Sequence, residues 1–337
     1  LERRLLMARP GEQRDGAIAE ALSVVDLAIG VPGTSVDESL NAFFDAWADL
    51  AADPTSTVAR LQVVTRAGDL AGAFHDVSGR LDETRRDADA QVRMLSAEVN
   101  ALSKRIADLN AQIGGMPPGD ASAEALRDEQ RTALTSLAEL VDIATIDRSD
   151  GGVDVALGCG RALVVGKNSS IIDARSAGPD GLATLHIGDY DITADVTGGR
   201  IGGLLHVRDA LVPGYQQQLD ELAAAVVREV NLVHESGFDL TGNPAGSLFA
   251  PLAVTAGAAE LIAVDGAIAS DPSKVAAAGT AATSDNQVAR ALAALRDARV
   301  MNGGRATFAD AWGEITYQVG SDARSAQARH RSQQAIL

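Results

Sequence analysis

The sequence predicts a mainly α-helical protein with a smaller β part: an elongated rod of long helices in a bundle, with an inserted small antiparallel β region. Three observations lead there. The stretch from Val58 to Ile113 contains no proline and carries apolar or small residues at Val77, Leu81, Thr84, Ala88, Val92, Leu95, Val99, Leu102, Ile106, Leu109 and Ile113. Their spacing, mostly four then three, keeps one seam on one side of a helix. Aromatic residues make up only 3% of the 337 while 46% are apolar, which favours close helix packing through small side chains over a bulky core. From Ile143 to about Val207 the texture changes to short apolar runs separated by glycine-rich clusters, the pattern of strands and turns.

A helix over Val58 to Ile113 would be roughly 80 Å long, beyond the diameter of a small domain, and needs another long helix to cover its seam. Arg80, Glu83, Arg85, Arg86, Asp87, Asp89, Glu98, Lys104, Arg105 and Asp108 lie between the seam positions and read as a solvated face. Gly68, Gly72 and Gly79 weaken its first half by about 1 kcal/mol each relative to alanine. Ahead of it, Leu1 to Met7 and Ala17 to Leu27 read as helical with Pro10 and Gly11 as a break, and Gly30 to Gly33 as a loop. Ser35 and Glu38 have capping-box spacing, followed by Leu40, Phe43, Phe44, Trp47 and Leu50 on one helical face. Asp53-Pro54-Thr55 stops that helix, and Ser56 or Thr57 can cap the long one.

Gly114 to Gly119, with Pro117 and Pro118, ends the long helix, and Ser122 can cap a returning one with its seam at Leu126, Ala133, Leu137, Leu140 and Val141. Strands are expected at Ile143 to Ile146, Val153 to Leu157, Ala162 to Val165, Leu182 to Ile187 and Asp191 to Val196, turned by Asp150-Gly151-Gly152, Gly158-Cys159-Gly160, Gly178 to Gly181 and Gly198-Gly199. Helix returns at Pro213, well placed in a first turn, with Leu219, Leu222, Val226, Val230 and Val233 as its seam. Leu252 to Ala256 and Glu260 to Val264 read as weak strands, Asp271-Pro272-Ser273 opens a short helix, and Gln287 to Arg299 is helical. A last helix over Ala306 to Leu337 shows Phe308, Trp312, Ile315, Val319 and Ala326 on one face. The expected organisation is a first helical rod part over 1-142, a small β-rich insertion over 143-208 and a helix returning to the rod over 209-240. A mixed connection over 241-282 and a C-terminal rod part over 283-337 follow.

Charge and composition exclude several functions. A net charge of −17 argues against nucleic acid or an anionic membrane as partner, since both demand clustered Lys and Arg. The single cysteine, Cys159, rules out a disulfide framework and a multi-thiolate metal site. No apolar run approaches the roughly 18 residues of a membrane span, and no signal peptide opens the chain.

No catalytic, cofactor-binding or metal-binding residue is expected from the sequence. The five histidines, His75, His186, His206, His234 and His330, are scattered, and none stands at helical ligand spacing from another; they read as partly exposed structural side chains. Gly33-Thr34-Ser35-Val36-Asp37 falls one glycine short of a nucleophile elbow and leads into a helix cap. Gly158-Cys159-Gly160 lacks the third glycine of a dinucleotide fingerprint and suits a hairpin turn better. Asp147 to Asp154 does not fit a calcium loop. Cys159 has no basic neighbour in sequence to activate it. Asn168-Ser169-Ser170 is a glycosylation sequon in form only, and Arg85-Arg86 belongs to the solvated face.

The residues do resemble a family. Ser39-Leu40-Asn41-Ala42-Phe43-Phe44-Asp45-Ala46-Trp47, then Leu50 and Asp53-Pro54-Thr55, look like an early helix of the bacterial flagellar hook-associated protein 1 family. Further matching blocks are Ile106 to Ile113, Leu137 to Asp142, Gly199 to Leu205 with Arg208-Asp209, Pro213-Gly214-Tyr215 and Leu219 to Ala223. Val230-Asn231, Gly237 to Leu240 with Gly242, Asp271 to Ala276 and Thr307 to Trp312 follow. The blocks keep the family's order across almost the whole chain, and the Gly199 to Leu222 and Phe238 to Gly242 blocks favour this family over the second junction protein and the flagellins.

Two departures are expected: the family's N-terminal and C-terminal segments are absent, leaving a soluble fragment, and the outer β-domain after Leu248-Phe249 is reduced. The resemblance implies a secreted, extracellular structural protein and not an enzyme, without cofactors, acting as an adaptor that joins hook to filament. It implies as partners the flagellar hook protein, the second hook-associated junction protein and further copies of itself, with an export chaperone that grips the absent C-terminal segment. Subunit packing is expected on the exposed faces of Val77 to Ile113 and Ala306 to Leu337. The long seam itself is expected to close on helices of the same chain. The rival readings are another axial flagellar protein, an adhesin or binding module on a helical stalk with its pocket in residues 143 to 208, and a surface hydrolase, for which no catalytic trio is found.

Overall fold

The computed structural model describes residues 2–29, 35–116, 121–178 and 180–335. The expected loop at Gly30 to Gly33, the Pro117-Pro118 stop, Pro179 and the end of the last helix at Ile336 and Leu337 lie outside them. The chain is mainly helical. It opens with α1 (Glu2–Ile29), α2 (Val36–Ala52), α3 (Thr57–Gly114) and α4 (Ala121–Leu140). Among the described residues seven short strands follow: β1 (Ile143–Asp147), β2 (Val153–Leu157), β3 (Ala162–Val165), β4 (Asn168–Ser169), β5 (Ile172–Ser176), β6 (Ala183–Ile187) and β7 (Tyr190–Asp191). Then come α5 (Gly199–His206), a π-helical turn (Val207–Leu211), α6 (Val212–His234), α7 (Ala258–Leu261), α8 (Gly266–Ser270), α9 (Gln287–Ala294) and α10 (Phe308–Gln334). The chain divides into two compact units, one from Leu1–Val24, Glu83–Val212 and Ser321–Leu337, the other from Val25–Asp82 and Pro213–Gly320.

In the first unit the α3 seam is the floor of the core. Ala88, Val92, Leu95, Val99 and Ile106 are buried in one cluster with Leu137 and Val141 at the end of α4, Ile201 and Leu204 of α5, and Val153, Val155, Leu163, Ile172 and Leu185 of the strands. Helices alone were expected to cover this seam; strands share the task. They form two antiparallel sheets, ordered β1-β2-β3-β4 and β5-β6-β7. Along β2 the buried residues alternate, Val153, Val155 and Leu157 facing inward, so each sheet lays its apolar face on the helices.

Several local expectations give way to tertiary context. The helix α1 runs through Pro10 and Gly11 without the expected break. Proline in a helix interior forfeits one N–H, but the glycines of α1 serve packing: a Cβ on Gly11 would come within 3.3 Å of the Gln333 amide of α10, and one on Gly16 within 2.9 Å of the His330 ring. The pair Gly198-Gly199, read as a turn, instead opens α5. Gly199 has φ +68, and a Cβ there would meet the Leu140 carbonyl carbon at 2.3 Å, while one on Gly203 would meet the Arg14 carbonyl oxygen at 2.5 Å. These glycines are small because backbones pass through their side-chain space.

Asp191 to Val196 is not a strand beyond Asp191. The Asp191 carboxylate accepts from both the backbone N–H and the hydroxyl of Thr193, at 2.8 and 2.6 Å, an Asx turn that curls the chain. Ile192 and Val196 stay buried across that turn, so their apolarity reports packing and not pleat. The strand β5 went unpredicted although Asp173 and Arg175 alternate with Ile172 and Ala174, because one large apolar side chain in five residues is a weak strand signal.

In the second unit α2 is capped as expected, with Glu38 N–H donating to Ser35 Oγ at 3.2 Å, and Ser56 Oγ caps α3 by accepting from Ala59 N–H at 3.2 Å. Phe43 meets Trp47 edge-on at 6.2 Å and Phe249 at 5.8 Å, and Phe44 stacks on Phe308 at 6.1 Å. These rings gather much of the chain's aromatic content in one core. Leu219, Leu222, Val226 and Val230 of α6 are buried, with Val233 half-buried. The expected strands at Leu252 to Ala256 and Glu260 to Val264 reduce to one bridge between Phe249 and Val264. The Asp220 carboxylate takes the Gly257 and Ala259 N–H groups at 2.8 and 2.9 Å and nucleates α7 instead.

Two glycine substitutions are expected to have opposite signs. Gly203→Val drives side-chain atoms into the Arg14 carbonyl and lowers stability by about 2 kcal/mol or more. Gly79→Ala, in the interior of α3 where an added Cβ meets nothing within 4 Å, raises it by about 1 kcal/mol. Urea unfolding of the two variants checks both signs.

Candidate functional site

The polar groups that the fold buries are where a site would be built, and in the first unit they converge on Asp89. Placed by sequence on a solvated face, it is 7% exposed, while Arg208 of the π-helical turn is 2% exposed. Arg208 Nη1 donates to Asp89 Oδ1 at 2.6 Å and to the Ala183 carbonyl at 2.8 Å. The Ala183 N–H donates to the same carboxylate oxygen at 2.7 Å, and Arg93 Nε to Oδ2 at 2.8 Å. Burial pushes the Asp89 carboxyl upward, but the Ala183, Arg93 and Arg208 bonds outweigh it and hold the group below the usual carboxylate range. Arg208 loses from burial and gains more from Asp209 and Asp89, so its pKa is raised.

The widened turn beneath Arg208 follows from Pro213. Helix was expected to restart there; instead the helical run passes through it from α5. The Val212 N–H reaches back five residues to the Val207 carbonyl, which leaves the Arg208 carbonyl to Pro213, and proline has no N–H to give. Arg85 Nε of α3 fills that place at 3.2 Å, and its guanidinium also pairs with Asp180 at 3.2 Å. Arg85 is thus half-buried and structural.

Two asparagines of α3 complete the pattern. Asn100 donates to the Ile172 carbonyl and accepts its N–H, each at 2.8 Å. Asn110 donates to the Val153 and Gly166 carbonyls at 2.7 Å and accepts from Val153 N–H and Gln130 at 2.8 Å. Nothing in their sequence spacing marks them.

In the second unit the irregular chain after α6 is held by that helix. Asn231 accepts from the Leu248 and Phe249 N–H groups and donates to the Phe249 carbonyl. His234 is fully buried, contrary to the expectation of partly exposed histidines. Its Nδ1 faces the Gly246 carbonyl at 2.6 Å and its Nε2 accepts the Ala276 N–H at 2.9 Å, an arrangement only the neutral ring with its proton on Nδ1 can satisfy. Burial accordingly lowers its pKa to about 4. Arg60, also buried, spans the Val275 and Pro54 carbonyls.

Of the other four histidines, His75 meets the Ile262 carbonyl, His186 meets Thr184 and His330 meets the Glu12 carbonyl. Among the described residues no group of three or more His, Cys, Asp or Glu side chains is placed to hold a metal ion, and no helix is long and apolar enough to cross a membrane. Cys159 is exposed in the β2–β3 turn. The Asn110, Asn231 and His234 side chains are spent chiefly on backbone partners. The charged residues that face outward on α3 within the first unit include Glu83, Arg86, Asp87, Glu98, Lys104, Arg105 and Asp108, with Met94 and several alanines exposed among them.

A family model described as the helical domain of flagellar hook-associated protein FlgK matches residues 22–249. The chain belongs to the FlgK family. Among curated FlgK-family relatives, flagellar hook-associated protein 1 of Salmonella typhimurium is 26% identical over 243 residues, 68% of this chain and 43% of that protein. The Escherichia coli protein of the same name is 25% identical over 245 residues, covering 68% and 44%, and that of Bacillus subtilis 23% over 344 residues, covering 91% and 68%. The chain therefore spans less than half the length of the first two. A solved structure of the flagellar hook junction protein FlgK from Burkholderia pseudomallei shares the fold, with a TM-score of 0.86 at 16% identity over 99% of this chain and 98% of that one.

Arg208→Ala leaves Asp89 buried with Arg93 as its remaining charged partner and is expected to cost about 3–5 kcal/mol. The double change Arg208→Met with Asp89→Leu removes the stranded charge and is left with a cost on the order of 1–3 kcal/mol from the unpaired Ala183 backbone groups. Chemical denaturation of the three forms tests this. His234 contributes a separate pH dependence. Its folded pKa of about 4 lies below the ordinary 6.5, so the unfolded chain binds the extra proton between these values. Stability is full above pH ~6.5 and falls by up to about 3 kcal/mol as pH drops toward 4. His234→Gln flattens that segment of a stability–pH curve; the part belonging to Asp89, lost below the usual carboxylate range, remains.

Proposed function

We propose that the chain is a structural subunit of the bacterial flagellum, an adaptor that joins hook to filament by packing against its neighbours. The observation that carries this reading is the FlgK family match over residues 22–249. The character of the surface supports it: buried polar groups hold the fold together, and the outward α3 face is a band of mixed charge suited to lateral contacts that tolerate water. The exposed positions of α10, among them Glu314, Tyr317 and Arg324, offer a second such face.

On this reading the protein is secreted and works outside the cell without catalysing a reaction. Its partners are the hook protein, the second hook-associated junction protein, further copies of itself and, during export, a chaperone. A net charge of −17 keeps such a subunit soluble before assembly.

Deletion of the encoding gene in its host is expected to leave hooks intact, strip them of filaments and abolish swimming. Filaments that still assemble on the hooks would sink the proposal. Complementation with Asp87→Lys and Glu98→Lys together restores export but not filament attachment if the α3 face is a contact surface; both positions are exposed, so the purified variant should unfold within about 0.5 kcal/mol of the parent.

A further inference from the structure

We propose that Asn302 is a site of spontaneous deamidation through a cyclic imide formed with Gly303. The backbone nitrogen of Gly303, after giving its proton to hydroxide or a buffer base, attacks Asn302 Cγ. The N–Cγ bond forms, the Cγ–Nδ2 bond breaks, and Nδ2 departs as ammonia with a proton from solvent. Water then adds to one of the two ring carbonyls, and opening yields aspartate or isoaspartate; no oxidation or reduction occurs.

Chemistry and geometry single out this asparagine. Of the eight in the chain, Asn302 alone precedes a glycine, whose missing side chain leaves its nitrogen free to approach. Asn302 is exposed in the turn before α10, in the left-handed region at φ 50 that asparagine tolerates better than most residues. Gly303 follows at φ 68, and a Cβ built on it would meet nothing within 4 Å, so no neighbour crowds the attack. The Asn302 amide donates to Glu314 Oε2 at 3.2 Å, a contact at the long end of the hydrogen-bond range that orients the group without burying it.

The competitors fail for separate reasons. Asn110 and Asn231 are buried, with both ends of their amides pinned to backbone groups. Asn243 precedes Pro244, whose nitrogen has no proton to lose. Asn168 is exposed but precedes Ser169, and its side chain obstructs closure.

The product alters the turn. The Gly304, Arg305 and Ala306 N–H groups all donate to the Met301 carbonyl, at 3.0, 3.0 and 3.2 Å. Isoaspartate inserts one more backbone carbon between that acceptor and these donors, and either product sets a second carboxylate beside Glu314.

The test is storage of the folded chain at physiological temperature, at neutral and at alkaline pH, followed by peptide mapping and by methyl labelling with an isoaspartyl methyltransferase. Conversion at Asn302 is expected roughly tenfold or more faster than at Asn168, faster at the higher pH, and accompanied by quicker hydrogen exchange at Gly304 to Ala306. Asn302→Gln removes the label, with at most a small fall in the urea midpoint from a left-handed backbone that asparagine tolerates better. Equal rates at Asn302 and Asn168, or conversion of Asn302 only after unfolding in urea, would overturn the proposal.

Discussion

One face of α3 carries the first unit. Its apolar seam supplies the driving force, and three polar residues at its margin supply the register: Asp89, Asn100 and Asn110, eleven and then ten residues apart, close to three helical turns each time. Each takes a backbone N–H from a strand or its approach, Ala183, Ile172 and Val153 respectively. Hydrophobic contact is non-directional and would let short strands slide along a helix. A side chain that bonds a strand's backbone fixes one position, and leaving such a buried group unpaired costs on the order of 1–3 kcal/mol. The strands are two to five residues long, so one fixed point settles most of a strand.

Arg208 extends the same logic to the helix that follows. It shares the Asp89 carboxylate with the Ala183 N–H, and so links α3, β6 and the π-helical turn in one buried network. The turn is wide because Pro213 lacks an N–H, and Arg85 supplies the missing donor. A proline, a π-turn and two arginines are thus one device. The second unit uses the same grammar with α6 as the anchor: Asp220, Asn231 and His234 bond successive stretches of irregular chain that could not hold themselves by ladders of their own.

Much of the fold was legible in sequence, and what was legible was local. The α3 seam, the Ser35 and Ser56 caps, the aromatic face of α2 and the strands at Val153 and Ala162 all declare themselves within a dozen residues, because period and capping are short-range physics. The misses share a different cause. Gly199 looks like a turn residue until the backbone of Leu140 is brought against it. Asp89 looks solvated until Arg208, far along the chain, reaches it. His234 looks like any histidine until burial and two backbone bonds fix its tautomer. The family, by contrast, was readable from ordered blocks, while no single block of charged surface announces which partner it meets.

The polar margin of α3 is the feature on which the first unit depends most, and native-state hydrogen exchange of three amides examines it directly. The N–H groups of Val153, Ile172 and Ala183 donate to Asn110, Asn100 and Asp89. If these side chains fix the strands, the three amides exchange only through opening of the whole first unit, with the same free energy as the seam residues Val92 and Val99. Exchange as fast as that of the short edge strand β7, with the seam still protected, would show that the strands are held by apolar contact alone.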